Sequence, residues 1–295
     1  MTKRTTRTGQ QYSEATPHKL KAFRYLVGFH AGVCEKIIKK YHQPQPYIYI
    51  DLNCGAGLQL EYREFGNEIL GSPIIALEEL NKKGIEPICH FCDENQEALE
   101  SLKKVIQDMT LKCEAHYWHG DNKKSLLDIS KELGQSSLGQ SSLQGLIYSD
   151  PNGKQDFPLT EIQKITRLPQ MKKVDILMNV ATTYVKRWQS NPKANWETHS
   201  LEDIVSNHGK TLTFIRQPED EDRNLKWTFI YATNWGEQKN LKKIRLYNIN
   251  DEVGKEILDH IFNPRFTALP IDKDGGISIQ QTLDFSDDSN TEVDS

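Results

Sequence analysis

Four aspartates stand where short apolar runs end, and two of them are followed by residues that bend the chain. Asp51 closes Tyr47-Ile48-Tyr49-Ile50 and opens Leu52-Asn53-Cys54-Gly55-Ala56-Gly57, while Asp150 closes Gly145-Leu146-Ile147-Tyr148-Ser149 and precedes Pro151-Asn152-Gly153. Asp93 ends Pro87-Ile88-Cys89-His90-Phe91-Cys92, and Asp121 follows Ala115-His116-Tyr117-Trp118-His119-Gly120. A glycine-bent loop after a buried strand lets backbone N–H groups approach a ligand closely, and open α/β sheets bind nucleotides at that end of their strands. The spacing here is Asp-x-x-x-Gly-x-Gly. A pyrophosphate-binding Gly-x-Gly-x-x-Gly needs glycine at position 60, where Leu60 stands. This argues against NAD and toward a ligand without phosphates, such as S-adenosylmethionine.

The order of the acids fits such a nucleoside. A carboxylate at Asp93 can accept hydrogen bonds from both ribose hydroxyls, and one at Asp121 can accept from an adenine amine. Both acids are equally suited to capping a helix or turn, and both readings stand at this point.

Elements that position these acids are visible around them. The four apolar runs read as strands, and Asn95-Gln96-Glu97-Ala98-Leu99-Glu100-Ser101-Leu102 reads as a helix behind the second. Ser72 can cap a helix with Pro73 as its first residue and Ile74, Ile75, Leu77 and Leu80 as its buried stripe. About fifteen residues separate the glycine loop from that helix, more than a usual strand-to-helix turn. Leu58 to Leu70 is therefore expected to arch over the pocket, with Glu61, Tyr62, Arg63 and Glu64 at its entrance or simply in solvent. Farther along, Thr160 to Leu168 reads as helix and Val174 to Val180 as a fifth strand. Asn207 to Arg216 is ambiguous, and Lys226 to Asn234 reads as a strand able to pair with Lys243 to Ile249 in an antiparallel edge hairpin.

Taken together, the chain resembles the class I S-adenosylmethionine-dependent methyltransferases and, within them, the three-Cys-motif partner proteins. The resemblance rests on the helix around His18-Lys19-Leu20, Asp51 to Gly57, Gly71-Ser72-Pro73 and Asp150-Pro151-Asn152-Gly153, and it spans roughly residues 16 to 262. It implies an α/β, Rossmann-like fold with a seven-stranded, mostly parallel sheet in the order 3-2-1-4-5-7-6 and helices on both faces. It also implies S-adenosyl-L-methionine as cofactor, with Asp51, Asn53, Gly55, Gly57, Asp93 and Asp121 as its binding residues. Asp150, Pro151 and Asn152 are the implied catalytic residues.

In amino-methyltransferases the comparable Asp/Asn-Pro-Pro-aromatic turn accepts hydrogen bonds from a target amine while the aromatic ring stacks on an extruded base. Here Asn152 and Gly153 occupy the last two positions, so the stacking ring is missing from its usual place. Tyr148, Phe157 and Tyr184 are candidates to stack from elsewhere, and each is as well suited to packing. An amine acceptor in DNA or RNA is the leading reading. Methylation of a protein or small molecule is a second, and a non-catalytic scaffold that binds a partner protein is a third.

Bulk properties bound these choices. The 295 residues, 26% charged and 37% hydrophobic, suffice for one large domain with a buried core. No run reaches the roughly 18 apolar residues of a membrane span, and Met1 to Arg7 has no signal-peptide core, so a cytoplasmic protein without membrane contact is expected. The cysteines at 34, 54, 89, 92 and 113 are odd in number and lie in core segments, which suits free thiols. Cys89 and Cys92, three apart on a strand, point to opposite faces, so no metal site is assigned there. Nine histidines show no ligand spacing.

The net charge of −4 is unevenly spread. Residues 1–15 form an expected flexible basic arm ahead of a 16–271 domain, and 272–295 an acidic disordered tail. Lys19, Lys21, Arg24, Lys36, Lys39 and Lys40 make the next segment basic, either to meet phosphates or as the wet face of an amphipathic helix. Gly134-Gln135-Ser136-Ser137-Leu138 recurs as Gly139-Gln140-Ser141-Ser142-Leu143, and 134–144 is expected to be a surface insertion.

Overall fold

The computed structural model describes residues 4–5, 11–12, 15–41, 46–59, 69–135, 142–151, 158–181, 201–217, 227–236 and 240–262. Its centre is one mixed sheet. Strands β1 (Tyr47–Asp51), β2 (Ile88–Asp93), β3 (Glu114–His119), β4 (Gln144–Ser149) and β5 (Lys173–Ala181) are followed by β6 (Leu212–Arg216), β7 (Trp227–Thr233) and β8 (Leu246–Asn248). The spatial order is β3-β2-β1-β4-β5-β7-β6-β8. β1 to β5 pair in parallel, and β7 lies antiparallel to both β5 and β6. The α/β Rossmann-like fold is therefore present, with the order 3-2-1-4-5-7-6 kept and an eighth strand added outside it.

That edge corrects one expectation. Leu246–Asn248 pairs with Leu212–Arg216, Phe214 opposite Asn248, and not with the strand at Trp227–Thr233. The ambiguous segment 207–216 supplies the intervening strand, because Leu212, Phe214 and Arg216 alternate with Thr213 and Ile215 in the period-two pattern of a sheet buried on both faces.

Helices cover both faces. α1 (Ala15–Tyr41), α2 (Ser72–Asn81) and α3 (Gln96–Asp108) pack with Tyr47, Tyr49, Leu146, Tyr148, Leu177 and Phe229. On the other face, α4 (Asn122–Gln135), α5 (Leu159–Thr166), α6 (Leu201–Ser206) and α7 (Glu252–Phe262) meet Ile48, Ile50, Ile147, Ile176 and Ile230. Cys89 falls in the first of these cores and Cys92 in the second, as their spacing requires, and all five cysteines are free. No helix among the described residues is long and apolar enough to cross a membrane.

Several local expectations meet the structure differently. Ser72 is the first residue of α2 and not its cap; Gly71 holds the cap position without a side-chain bond, and the Ser72 hydroxyl is used elsewhere. In the basic arm, Arg4–Thr5 pairs with Gln11–Tyr12, so this stretch carries a short antiparallel contact. The repeat at 134–144 is partly absorbed by elements, since α4 runs through Gln135 and β4 starts at Gln144. Leu58–Gln59 pairs with Ile69–Leu70, forming the base of the expected arch. Residues 60–68, Asn152, Gly153, Phe157, Tyr184 and the acidic tail lie outside the described residues.

Candidate functional site

All four sequence-selected acids lie at the carboxyl ends of parallel strands, and the glycine loop lies between them. β1 ends one residue before the loop, whose Leu52 N–H donates to the Tyr148 carbonyl at 3.0 Å and whose Cys54 N–H donates to the Cys92 carbonyl at 3.0 Å. The loop is thus tied to both neighbouring strands. Gly55 and Gly57 have φ of 61° and 79°, in the left-handed region that side chains avoid. A Cβ on Gly57 would also stand 2.7 Å from Leu102 Cδ1, whereas one on Gly55 would meet nothing within 4 Å. Gly57 is therefore glycine for packing on α3, while Gly55 presents open space.

Asp51 is fully buried beneath this loop. Its Oδ2 accepts from Tyr49 Oη at 2.9 Å and Ser72 Oγ at 2.8 Å, and its Oδ1 accepts from the Asn53 N–H at 3.2 Å. Tyr49 reaches it because residues two apart on a strand share a face. Burial raises the Asp51 pKa to about 7, against the pull of its three hydrogen bonds and with a further push from the charge of Asp150. The carboxylate orders the loop from below.

Asp93 binds the loop from the side. Its Oδ2 accepts from the Gly55 N–H at 2.8 Å and its Oδ1 from the Asn95 N–H at 2.8 Å. Asn95 in turn caps α3, accepting from Glu97 and Ala98 N–H groups. Asp121 takes the capping role: its Oδ1 accepts from the Lys123 and Lys124 N–H groups at 2.9 and 3.2 Å, at the start of α4. It is exposed, two strands away from β1.

Asp150 sits where β4 ends beside β1. The Asn53 side chain, expected among the cofactor contacts, accepts from the Asp150 N–H at 3.2 Å and so joins the glycine loop to the Asp150 turn. Both carboxylate oxygens are engaged. Lys19 Nζ lies 2.6 Å from Oδ2, with the two side chains only 15% and 13% exposed, and Asn179 Nδ2 donates to Oδ1 at 2.7 Å. Pro151 follows directly, and Asn152 lies outside the described residues.

Periodicity explains both contacts. Phe23 of α1 packs on Tyr148 with ring centroids 4.3 Å apart and the rings tilted by 44°. Lys19 is one helical turn before Phe23, and Asp150 is two strand residues after Tyr148, so the aromatic pair brings the ion pair into register. Asn179 arrives by strand pairing: Ser149 stands opposite Met178 in the β4–β5 ladder, which sets the next positions, Asp150 and Asn179, side by side. Neither residue was selected by sequence reasoning. In the sequence Lys19 figures in the helix motif His18-Lys19-Leu20 and in a basic stretch, with no role at the site, and Asn179 only as a member of the fifth strand. The available signal was Asn179 itself, a polar residue on the same face as Leu177 near the end of an otherwise apolar run.

The rest of the basic stretch is partly spent within the molecule. Arg24 pairs with Glu78 and Glu79 at 2.7 and 2.8 Å, and Lys39 with Glu35 at 2.6 Å.

No protein-family model matches the chain, and no curated protein matches its sequence. Among solved structures, the chain is similar to protein LPL1258 from Legionella pneumophila str. Philadelphia 1, with 14% identity, a TM-score of 0.47, and coverage of 83% of this chain and 94% of that one. It is also similar to a methyltransferase from Geobacter sulfurreducens, with 11% identity, a TM-score of 0.35, and coverage of 69% and 77%. A third similar structure is an rRNA methylase from Streptococcus thermophilus, with 12% identity, a TM-score of 0.38, and coverage of 65% and 89%.

Proposed function

We propose that this protein is an S-adenosylmethionine-dependent methyltransferase that acts on nucleic acid, DNA or RNA, at a base amine in the cytoplasm. The observation that carries the reading is the placement of Asp150, at the end of β4, directly beside the glycine loop at the end of β1 and joined to it through Asn53. The residues fit the cofactor: Gly55 leaves open space above a loop whose N–H is anchored on Asp93, and Asp93 keeps lone pairs for ribose hydroxyls. Gly55, Gly57 and Asn53 would shape the methionine pocket, Asp51 would support it electrostatically from beneath, and Asp121 would approach the adenine.

When bound, S-adenosylmethionine supplies an electrophilic methyl group on a sulfonium centre. The protein's own task is then positioning and proton removal. Asp150 accepts an N–H of the target amine, which aims the nitrogen lone pair, and takes up the proton that the methylated nitrogen sheds. Lys19 holds that carboxylate in place and offsets its charge. Pro151 stiffens the turn, and Asn152 is assigned as an auxiliary acceptor on the strength of its position in Asp150-Pro151-Asn152-Gly153.

The finer reading, membership of the three-Cys-motif partner proteins with a partner protein of its own, is supported by the same four residues and by the helix at His18-Lys19-Leu20. Transfer of a radiolabelled methyl group to DNA, tRNA or total protein pools tests the function. Label in a nucleic-acid pool that is lost in Asp150→Asn supports it; label in protein alone, or none in any pool, contradicts it.

A further inference from the structure

Asn179 is 7% exposed, and the two ends of its amide have different fates. Nδ2 donates to Asp150 Oδ1 at 2.7 Å. That contact fixes the orientation, since the flipped amide would set two acceptors against each other. Oδ1 is left buried with no hydrogen-bond partner. It is one of several such buried atoms among the described residues, and what distinguishes it is that it belongs to the side chain that holds the Asp150 carboxylate.

We infer that Asn179 Oδ1 and the Asp150 carboxylate together form the receptor for a neutral, planar amino group, the exocyclic amine of a nucleic-acid base. This rests on the methyltransferase reading above and names the group that its site selects. A planar –NH2 carries two N–H donors about 120° apart, so two acceptors at ordinary hydrogen-bond length stand about 5 Å from each other. Asn179 Oδ1 lies at most about 5 Å from Asp150 Oδ1, because both amide atoms share one carbon and Nδ2 is in contact with the carboxylate, so the separation does not exceed what one amino group spans. The charge balance favours a base over a lysine side chain. Lys19 already offsets Asp150 at 2.6 Å, so an incoming ammonium would gain little from the carboxylate and be repelled by Lys19. A neutral amine meets acceptors without that penalty. Asn179 is thus a positioning and specificity residue, and it supplies from β5 an acceptor close to the Asp150 turn.

The test is fluorescence anisotropy with labelled single-stranded RNA and DNA oligonucleotides, with S-adenosylhomocysteine present. Each carries one adenine, cytosine or guanine, matched to an otherwise identical oligonucleotide with purine, 2-pyrimidinone or hypoxanthine in its place. At least one amine-bearing oligonucleotide should bind wild-type protein tenfold or more tighter than its amine-free match. Asn179→Ala should reduce that ratio to less than threefold while leaving S-adenosylmethionine affinity, measured by calorimetry, within twofold. A role confined to packing of β5 would not move the ratio. Equal or undetectable binding of every matched pair by wild-type protein overturns the inference, and needs no variant to fold. Retained discrimination in folded Asn179→Ala overturns it as well. Intact S-adenosylmethionine binding in either case leaves the methyl-donor reading standing, whereas its loss in wild type would fall on that reading itself.

Discussion

Lys19 and Asp150, 131 residues apart, form a 2.6 Å ion pair at the point where α1 meets the end of β4. The pair is mostly shielded from water, so removing one partner leaves the other poorly satisfied. The first helix is thereby a part of the site and not only a cover for the sheet.

Lys19→Met should lower stability by about 1 to 3 kcal/mol, seen as a reduced urea midpoint, and abolish methyl transfer without changing S-adenosylmethionine affinity more than a few-fold. A double-mutant cycle with Asp150→Asn should return a coupling of about 1 kcal/mol or more. A coupling near zero would mean that the pair is incidental.

Gly57→Ala tests the loop. The φ of 79° and the 2.7 Å approach to Leu102 should together cost about 1 to 3 kcal/mol and weaken S-adenosylmethionine binding at least tenfold. Gly55→Ala, with open space around it but a φ of 61°, should cost about 1 kcal/mol in stability and yet weaken binding comparably. Parallel losses of stability and binding in both variants would contradict the assignment of different tasks to the two glycines.

Much of the site could be read from the chain, and what could not be has a definable cause. Asp51, Asn53, Gly55, Gly57, Asp93 and Asp150 are local features: an acid or a glycine at the end of a strand announces itself by its neighbours. Lys19 and Asn179 reach Asp150 through packing of Phe23 on Tyr148 and through strand register, which no local pattern reports. Asp121 shows the reverse, since the same Gly-Asp signal serves a helix cap as well as a ligand, and here the cap claims one carboxylate oxygen. The strand that escaped is Leu212–Arg216, which stood in an ambiguous segment, and without it Leu246–Asn248 was assigned to Trp227–Thr233 as its partner.

Asp51 predicts a pH dependence of binding. With its pKa raised to about 7, it is mostly protonated at pH 6 and mostly ionised at pH 8. S-adenosylmethionine is cationic at its sulfonium and amino groups, so its affinity should rise up to about tenfold across that interval. Asp51→Asn should flatten the profile, as calorimetry at three pH values would show. An unchanged profile in Asp51→Asn would assign the dependence to another group.

A second buried cluster, away from the site, governs stability. His30 lies against Tyr47 Oη at 2.9 Å and Asp175 Oδ2 at 3.3 Å. Burial opposes its charge, but Cys34 and Asp175 outweigh that and raise its pKa to about 10. A pKa raised on folding stabilises fully below the unfolded value of about 6.5 and is lost as pH climbs through 10. Lys210, lowered by burial to about 8, acts in the opposite sense over part of that window. The contribution of His30 is therefore the difference between wild type and His30→Asn, which should shrink steadily from pH 6.5 to 10 in urea unfolding. A constant difference would refute the assigned charge.

The central claim is that the loop from Asp51 to Gly57 binds S-adenosylmethionine, and calorimetric titration of that ligand into the purified protein tests it most directly. The account predicts binding in the micromolar range that is lost in Asp93→Ala, whose carboxylate anchors Gly55. Absence of binding to folded, ligand-free protein, or undiminished binding by Asp93→Ala, would contradict it.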